Sequence, residues 1–239
     1  MLLHGFTHTG HSWDPVTAAL GERYRAIAPD IRGHGSAGAR RPITLEAVLG
    51  DLADAAPRRF TLCGYSMGGR LALHAALRMP ERVQRLVLIG ASPGIADPRR
   101  RRARARADER LAGEIEAAPI AAVAERWAAT PVLAGQPRPV REAARRDRLR
   151  STPAGLAQAL RGLGTGALPS LWGRLGELAM PVLVVVGERD VKFADIGRRM
   201  AAQARDARLV IVPGAGHAVH LEAPGQVAEL LAGVLSTTR

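Results

Sequence analysis

The segment from Gly64 to Gly68 has the pattern G-x-S-x-G, with Ser66 at its centre, and it stands between a short apolar run and a segment with apolar residues at helical spacing. A serine at such a strand-to-helix turn adopts a strained backbone conformation, so its neighbours must be small and its hydroxyl stands clear of the sheet. The following helix points the positive end of its dipole at the same place. A plain glycine turn would also produce this pentapeptide, so its context decides between the two.

That context is an alternation of short apolar runs with helical periodicity, which is typical of βαβ units and a mostly parallel sheet. The predicted strands are Leu2–Leu3, Tyr24–Ala28, Phe60–Cys63, Val83–Ile89, Val182–Val186 and Leu209–Val212. The predicted helices are Trp13–Leu20, Thr44–Ala55, Gly68–Met79, Ile196–Ala204 and Val227–Leu235. A chain of 239 residues is long enough for one α/β domain with an insertion.

The stretch 92–170 breaks the alternation. It has no strand pattern, and it carries fifteen arginines against eight acidic residues. A helical insertion here would cover the carboxyl ends of the strands, where ligands bind in open α/β folds. We therefore predict a core formed by residues 1–91 and 171–239, and a helical lid formed by residues 92–170.

The net charge of +12 raises the question of nucleic-acid binding, but over half of the excess positive charge lies in the predicted lid. No aromatic residues are interleaved with the arginine run to stack on bases. No apolar run approaches the roughly 20 residues that cross a bilayer, and the N-terminus lacks the pattern of a secretory signal. The single cysteine, Cys63, excludes an intrachain disulfide. We expect a cytoplasmic protein that binds neither nucleic acid nor membrane.

An acid and a histidine follow Ser66 in the order that serine-dependent catalysis uses. A serine hydroxyl is a weak nucleophile or base unless an imidazole accepts its proton and a carboxylate orients that imidazole. Asp190 follows the fifth predicted strand, and His217 follows the sixth in a glycine-bordered loop. The order Ser, Asp, His is typical of the α/β-hydrolase fold. Glu188 and Asp195 are close enough in sequence to compete with Asp190 as the acid.

The predicted oxyanion hole consists of two backbone N–H groups. One belongs to Phe6, which follows His4-Gly5 after the first strand, and the other belongs to Met67, which follows Ser66. Arg70 lies one helical turn beyond Ser66, where an ordinary esterase needs no cation. A buried guanidinium is costly without an anion, so Arg70 either pairs with a structural acid or binds an acidic substrate. Tyr65 either places its phenol at the rim of the site or simply packs.

The chain resembles the 2-succinyl-6-hydroxy-2,4-cyclohexadiene-1-carboxylate synthases of menaquinone biosynthesis over nearly its whole length. The specific points of resemblance are the serine motif extended to Arg70, the arginines of the lid, and the pair Lys192-Phe193 after Asp190. Less specific segments, which many hydrolases share, include Leu3-His4-Gly5-Phe6 and Gly216-His217.

The resemblance implies an α/β-hydrolase fold and a lyase that eliminates pyruvate from 2-succinyl-5-enolpyruvyl-6-hydroxy-3-cyclohexene-1-carboxylate, with the triad-activated serine as base. It implies no acyl-enzyme, no metal and no organic cofactor. It also implies that Arg70 and Arg104 contact substrate carboxylates, that Arg148 or Arg150 does so too, and that Trp127 lines the pocket. An arginine-rich lid suits a small polycarboxylate, because guanidinium binds carboxylate in a bidentate way. For most arginines between 99 and 110, a solvated helix face is the simpler interpretation.

Two other functions fit the same residues. A serine hydrolase of an ester, a lactone or a carbon-carbon bond would use the same triad but would pass through an acyl-enzyme. A non-catalytic receptor on the same fold is disfavoured by the intact triad. For the assembly we expect a monomer or a weak homo-oligomer.

Overall fold

The computed structural model describes residues 1–236, in which five parallel strands form one sheet in the order β1-β2-β3-β4-β5. The strands are β1 Leu2–Leu3, β2 Phe60–Tyr65, β3 Val83–Ile89, β4 Val182–Gly187 and β5 Ala207–Val212. The helices are α1 Asp14–Leu20, α2 Leu45–Ala55, α3 Met67–Arg78, α4 Pro98–Glu116, α5 Ile120–Ala128, α6 Arg138–Arg148, α7 Pro153–Leu163, α8 Val191–Gln203, α9 Val219–Glu222 and α10 Pro224–Ser236. The last residues of the predicted core, 237–239, lie outside the described residues.

The core lies on both faces of the sheet because the strand side chains alternate between them. Leu86 and Leu88 of β3 pack on one face, with the valines of β4 at 182, 184 and 186. Val87 and Ile89 pack on the other face. Every residue of β4 is buried, as expected for a strand covered on both sides. This parallel sheet flanked by helices confirms the predicted α/β fold class.

The predicted strand Tyr24–Ala28 is wrong. Within residues 1–236, this segment forms one backbone hydrogen bond to a strand, in which the N–H of Leu2 donates to the carbonyl of Ile27 at 2.8 Å. Its neighbour β1 has only two residues, so it offers too short an edge for a further strand to pair with. The helix predicted at Ile196–Ala204 in turn begins earlier, at Val191, because the side chain of Asp190 accepts a hydrogen bond from the N–H of Phe193 and caps it.

The stretch 92–170 contains four helices, α4 to α7, and no strand. Within it α4 packs on α7, and α5 packs on α6. The ring of Trp127 in α5 meets the ring of Phe6 beyond β1, with centroids 4.9 Å apart. The boundaries at 92 and 170 stay a prediction. Within residues 1–236 we find no helix with the length and apolar character needed to cross a membrane.

Candidate active site

Ser66 occupies the sharp turn between β2 and α3. Its backbone has φ 51° and ψ −109°, a left-handed conformation that non-glycine residues rarely adopt. The glycines on either side are required by close backbone contacts. A Cβ on Gly64 would lie 2.7 Å from the Cα of Gly69, and a Cβ on Gly68 would lie 2.6 Å from the carbonyl carbon of Leu3. The tight turn therefore leaves no room for a side chain at position 64 or 68.

The side chains of Ser66, His217 and Asp190 meet at the carboxyl edge of the sheet. The Nε2 of His217 lies 3.3 Å from the Oγ of Ser66, and its Nδ1 lies 2.6 Å from Oδ2 of Asp190. The imidazole is 4% exposed and the carboxylate 7%. This is the geometry in which an imidazole can accept the serine proton while a carboxylate holds it in the required tautomer.

Asp190 alone among the three candidate acids contacts that histidine within the described part of the chain. Glu188 accepts a hydrogen bond from the N–H of Gly214 at 2.9 Å. Asp195 forms an exposed ion pair with Arg198 at 2.7 Å. Asp190 is the residue directly before α8, where its Oδ1 caps the helix and its Oδ2 contacts His217.

The His217 ring is fixed by packing as well as by hydrogen bonding. Its centroid lies 4.4 Å from that of Phe193 and 5.3 Å from that of Tyr65. Gly90, which follows β3 with φ 52°, approaches so closely that a Cβ there would lie 3.0 Å from the imidazole Cε1. Sequence reasoning overlooked Gly90, although a glycine directly after a buried strand is a signal of close approach.

A further carboxylate, Glu222, joins the two loops that carry the acid and the histidine. It accepts a hydrogen bond from the N–H of Gly216 at 2.8 Å and forms an ion pair with Arg189 at 2.7 Å. Gly216 directly precedes His217, and Arg189 directly precedes Asp190. Arg189 also donates to the carbonyl of Gly135 in the lid at 3.1 Å. Sequence reasoning assigned no role to Glu222.

The predicted oxyanion donors flank the serine from two elements. Met67 is the first residue of α3, and the N–H groups of a first helical turn have no intrahelical partner. Phe6 follows β1. A cavity of about 60 Å³ lies over the serine, and its walls include five of the residues predicted from the sequence. They are Phe6, Tyr65, Ser66, Trp127 and His217, and the cavity is completed by His8, Val132 and Leu133.

Comparison with known proteins decides the family. The model of the alpha/beta hydrolase family matches residues 1–230. The chain is 32% identical to the 2-succinyl-6-hydroxy-2,4-cyclohexadiene-1-carboxylate synthase of Enterobacter sp. (strain 638), with 98% of this chain and 90% of the relative covered. A Bacillus subtilis (strain 168) protein provisionally named as the same synthase is 38% identical, with 98% of this chain and 89% of the relative covered.

The chain belongs to the 2-succinyl-6-hydroxy-2,4-cyclohexadiene-1-carboxylate synthase family. A solved structure of MenH from S. aureus superposes with a TM-score of 0.91 at 28% identity, and it covers 98% of this chain and 91% of that one. These findings confirm the predicted resemblance and the α/β-hydrolase fold. They place the synthase among the lyases of that superfamily.

In this synthase Arg70 is buried behind the serine, with 7% of its surface exposed. One terminal nitrogen donates to the carbonyl of Leu163 at the end of α7, at 3.1 Å. The Nε has no hydrogen-bond partner within residues 1–236. Burial, together with the positive charge of Arg104, lowers the pKa of Arg70 to about 10, so the guanidinium still carries its charge at neutral pH. No acidic side chain forms an ion pair with Arg70 among the described residues.

The three lid arginines of the sequence prediction lie in different environments. Arg148 is 1% exposed, and its two terminal nitrogens have no partner in the described chain. Arg104 is 45% exposed at the side chain and pairs with Asp108 at 2.6 Å. Arg150 is exposed at the surface. None of the three, and not Arg70, lines the small cavity over the serine.

Tyr65 lines the cavity and is close enough to Arg148 for their charges to interact, and it is 3% exposed. Burial raises the pKa of its phenol well above the ordinary value, although the charge of Arg148 opposes the rise. The phenol is therefore neutral at physiological pH. It forms part of the wall of the site rather than supplying a second base.

Proposed function

We propose that this chain eliminates pyruvate from 2-succinyl-5-enolpyruvyl-6-hydroxy-3-cyclohexene-1-carboxylate to give 2-succinyl-6-hydroxy-2,4-cyclohexadiene-1-carboxylate. The observation that supports it most is the hydrogen-bonded chain from Ser66 through His217 to Asp190 in a member of the synthase family. The proposal requires a base near neutral pH, and an imidazole-linked hydroxyl can supply one.

The reaction is a proton abstraction followed by loss of a leaving group across a conjugated system. The ketone of the succinyl group acidifies the hydrogen on ring C2. The Oγ of Ser66 takes that hydrogen while His217 accepts the serine proton. The electron pair forms the C2–C3 double bond, the ring double bond moves from C3–C4 to C4–C5, and the C5–O bond breaks. The enolpyruvate that leaves takes up a proton to become pyruvate.

Negative charge develops on the ketone oxygen during the abstraction, because the C2 carbanion is an enolate. In this proposal the N–H groups of Phe6 and Met67 stabilise that oxygen, as they would stabilise a tetrahedral oxyanion in a hydrolase. Preformed donors in a site that excludes water stabilise the transition state, and a single donor contributes about 3 kcal/mol. The mechanism therefore needs neither a covalent intermediate nor a cofactor.

Buried arginines supply the recognition of the carboxylates. The substrate carries carboxylates on the ring, on the succinyl chain and on the enolpyruvyl group. Arg148 and Arg70 are buried with unpartnered guanidinium nitrogens, which makes them the best candidates to bind two of these groups. Arg104 would have to exchange Asp108 for a substrate carboxylate. Arg150 would have to turn inward from the surface, so we assign this contact to Arg148 instead. Tyr65 and Trp127 line the pocket.

The lid must move to admit this substrate. The cavity over Ser66 measures about 60 Å³, whereas sites for ligands of this size occupy roughly 300 Å³ or more. The walls that would separate are those formed by the lid, namely Trp127, Val132 and Leu133. Closure over the bound substrate would then exclude water from the enolate.

The alternative function is a serine hydrolase of an ester, a lactone or a carbon-carbon bond, which the same triad geometry supports. The two differ in whether Ser66 forms a covalent bond to the substrate. The test incubates the protein with the cyclohexene substrate. Lactate dehydrogenase reports the pyruvate released, and ultraviolet absorbance reports the diene formed. Rapid-quench mass spectrometry shows whether Ser66 becomes covalently modified. We expect equal amounts of pyruvate and diene with unmodified protein. An adduct on Ser66 without pyruvate release would favour the hydrolase.

The cellular location, the oligomeric state and the partners of the enzyme remain predictions from the sequence. We propose that it works in the cytoplasm as a monomer or a weak homo-oligomer on a free polycarboxylate, with neither nucleic acid nor membrane as partner. The large net charge supports binding of an anionic small molecule.

A further inference from the structure

A buried carboxylate at the end of the lid helix α6 contacts the loop that follows β1. Asp147 is 7% exposed. Its Oδ2 accepts hydrogen bonds from Nδ1 of His8 at 2.8 Å and from the N–H of Thr9 at 3.0 Å, and its Oδ1 accepts one from the hydroxyl of Thr9. His8 and Thr9 are themselves 2% and 0% exposed. Both carboxylate oxygens are thus used within a closed contact between the lid and the core.

The neighbouring residue extends this contact. The Nε of Arg148 donates to the hydroxyl of Thr7 at 3.2 Å, and Thr7 is also buried. Three consecutive loop residues, 7 to 9, are therefore held by two consecutive residues of α6. Burial lowers the pKa of Arg148, and the adjacent carboxylate of Asp147 counteracts this effect by its negative charge. Asp147 thus stabilises the charged guanidinium as well as its position.

The loop held in this way has a strained backbone. Thr7 has φ 70°, and within residues 1–236 only Ser66 shares a positive φ among non-glycine residues. Such a conformation costs about 1–3 kcal/mol and persists when the surroundings impose it. The residue directly before Thr7 is Phe6, whose N–H is the proposed oxyanion donor. The position of that donor therefore depends on contacts made by the lid.

We propose that Asp147 is a positioning residue whose clamp on residues 7–9 holds both the Arg148 guanidinium and the Phe6 N–H in their working positions. The inference rests on the proposed function for the role of Arg148. The clamp couples carboxylate recognition by the lid to the geometry of the oxyanion loop. When the lid lifts to admit substrate, the loop loses its support, and it regains it on closure.

The test compares Asp147→Asn with Glu142→Gln, a matched removal of a carboxylate charge from the exposed side of the same helix. Two readouts separate the two parts of the clamp. One is kcat and KM for pyruvate release from the cyclohexene substrate. The other is the rate at which a small neutral fluorophosphonate phosphonylates Ser66, which needs the oxyanion loop but no arginine. Arg148→Met is the reference that removes recognition and the Thr7 contact but keeps the contacts of Asp147 with His8 and Thr9.

We expect Asp147→Asn to lower kcat/KM for pyruvate release by about 10- to 100-fold, as a displacement near 1 Å does. Phosphonylation should slow by about tenfold. Arg148→Met should lower pyruvate release and, because it loses the Thr7 contact, slow phosphonylation less than Asp147→Asn does. Glu142→Gln should stay within twofold on both readouts. If Asp147→Asn fails to fold, Thr9→Val, which removes one hydroxyl donor and keeps the backbone one, takes its place with a smaller loss expected on both readouts.

A folded Asp147→Asn protein with unchanged phosphonylation would overturn the coupling to the oxyanion loop. A wild-type protein that fluorophosphonate does not label would overturn it as well, because the loop would then support no reactive serine. A wild-type protein that releases no pyruvate but is labelled would refute the proposed function instead. The phosphonylation rates of the variants would still test the clamp.

Discussion

The sheet side and the lid side of the site are built on different principles. On the sheet side Ser66, His217 and Asp190 are hydrogen-bonded to one another, and each stands at the end of a strand. On the lid side the buried guanidinium of Arg148 has two nitrogens without a partner in the described chain. The sheet side is thus complete within the protein, whereas the lid side keeps guanidinium N–H groups that are free to bind an anion. The chemistry resides in the first and the specificity in the second.

The largest expected effect comes from the sheet side. Ser66→Ala should lower the rate of pyruvate release by about 10³-fold or more, because no other group can take the ring proton. The change removes only an oxygen from a residue held by its backbone, so the melting temperature should change little. Steady-state kinetics and thermal unfolding measure both quantities. Near-normal turnover would show that the sheet side does not perform the chemistry.

The acid of the triad should be nearly as sensitive. Asp190→Asn is expected to reduce kcat by about 10²- to 10⁴-fold, since an amide favours the wrong imidazole tautomer. Asp195→Asn serves as the control, because its exposed ion pair with Arg198 lies away from the imidazole. The kcat values of the two variants decide the matter. The reverse order of losses would move the acid to Asp195.

The lid side should respond in recognition rather than in chemistry. Arg148→Met is expected to lower kcat/KM for the polycarboxylate by about 10- to 100-fold, the equivalent of one charge-assisted hydrogen bond at roughly 1.5–3 kcal/mol. Arg150→Met, at the exposed position two residues on, should stay within twofold. Labelling of Ser66 by a neutral fluorophosphonate should be normal in Arg150→Met and only slightly slower in Arg148→Met, which loses the Thr7 contact. Equal losses in the two variants would remove the distinction between buried and exposed arginines.

The smallest effect at neutral pH concerns stability. Burial lowers the pKa of His4 to about 4 and that of His34 to about 3, below the ordinary 6.5. His4 is held in its neutral form, because its Nδ1 donates to the carbonyl of Gly5 and its Nε2 accepts from the N–H of Ile31. Between the ordinary pKa of 6.5 and the lowered values in the folded protein, the unfolded chain binds more protons than the folded one. The free energy of unfolding must therefore decrease as the pH falls below 6.5.

On this basis we expect the free energy of unfolding, measured by urea titration, to be constant near pH 7 and above. It should decrease from pH 6.5 to about 4 by a few kcal/mol, at roughly 1.4 kcal/mol per pKa unit. The pKa of Asp147 is held below its ordinary 3.8 by hydrogen bonds from His8 and Thr9, which outweigh its burial. The stability that this carboxylate contributes is lost only below pH 3.8. Burial also lowers the pKa of His8 in the lid contact, so that contact loses stability below pH 6.5 together with the loops that carry His4 and His34. A free energy of unfolding that is flat from pH 7 to 4 would contradict this prediction.

Local patterns predicted the sheet side well because its determinants are local. The strand-end positions of Ser66, Asp190 and His217 follow from apolar runs, and parallel strands bring their carboxyl ends to one edge. The strand predicted at Tyr24–Ala28 failed because pairing needs a neighbour of sufficient length, which no local pattern reveals. Asp147 and Glu222 were missed for the same kind of reason, since their partners lie far away in sequence or in another loop.

The lid arginines show most clearly what could not be predicted from the sequence. Arg148 is the last residue of α6, whereas Arg150 lies two positions on, in the turn that follows the helix. Sequence reasoning left both open, whereas the structure buries one at the end of α6 and exposes the other. Which of them faces inward depends on how α6 docks. That docking is set by Asp147 and its contacts with Thr9, some 138 residues away.

The most direct test of the central claim is a single-turnover measurement of pyruvate release with substrate carrying deuterium at ring C2. If the oxygen of Ser66 removes that hydrogen in the step that expels pyruvate, the deuterated substrate reacts at least about twofold more slowly and the protein mass stays unchanged. Identical rates for the two substrates, accompanied by a transient adduct on Ser66, would contradict the account and identify a hydrolase.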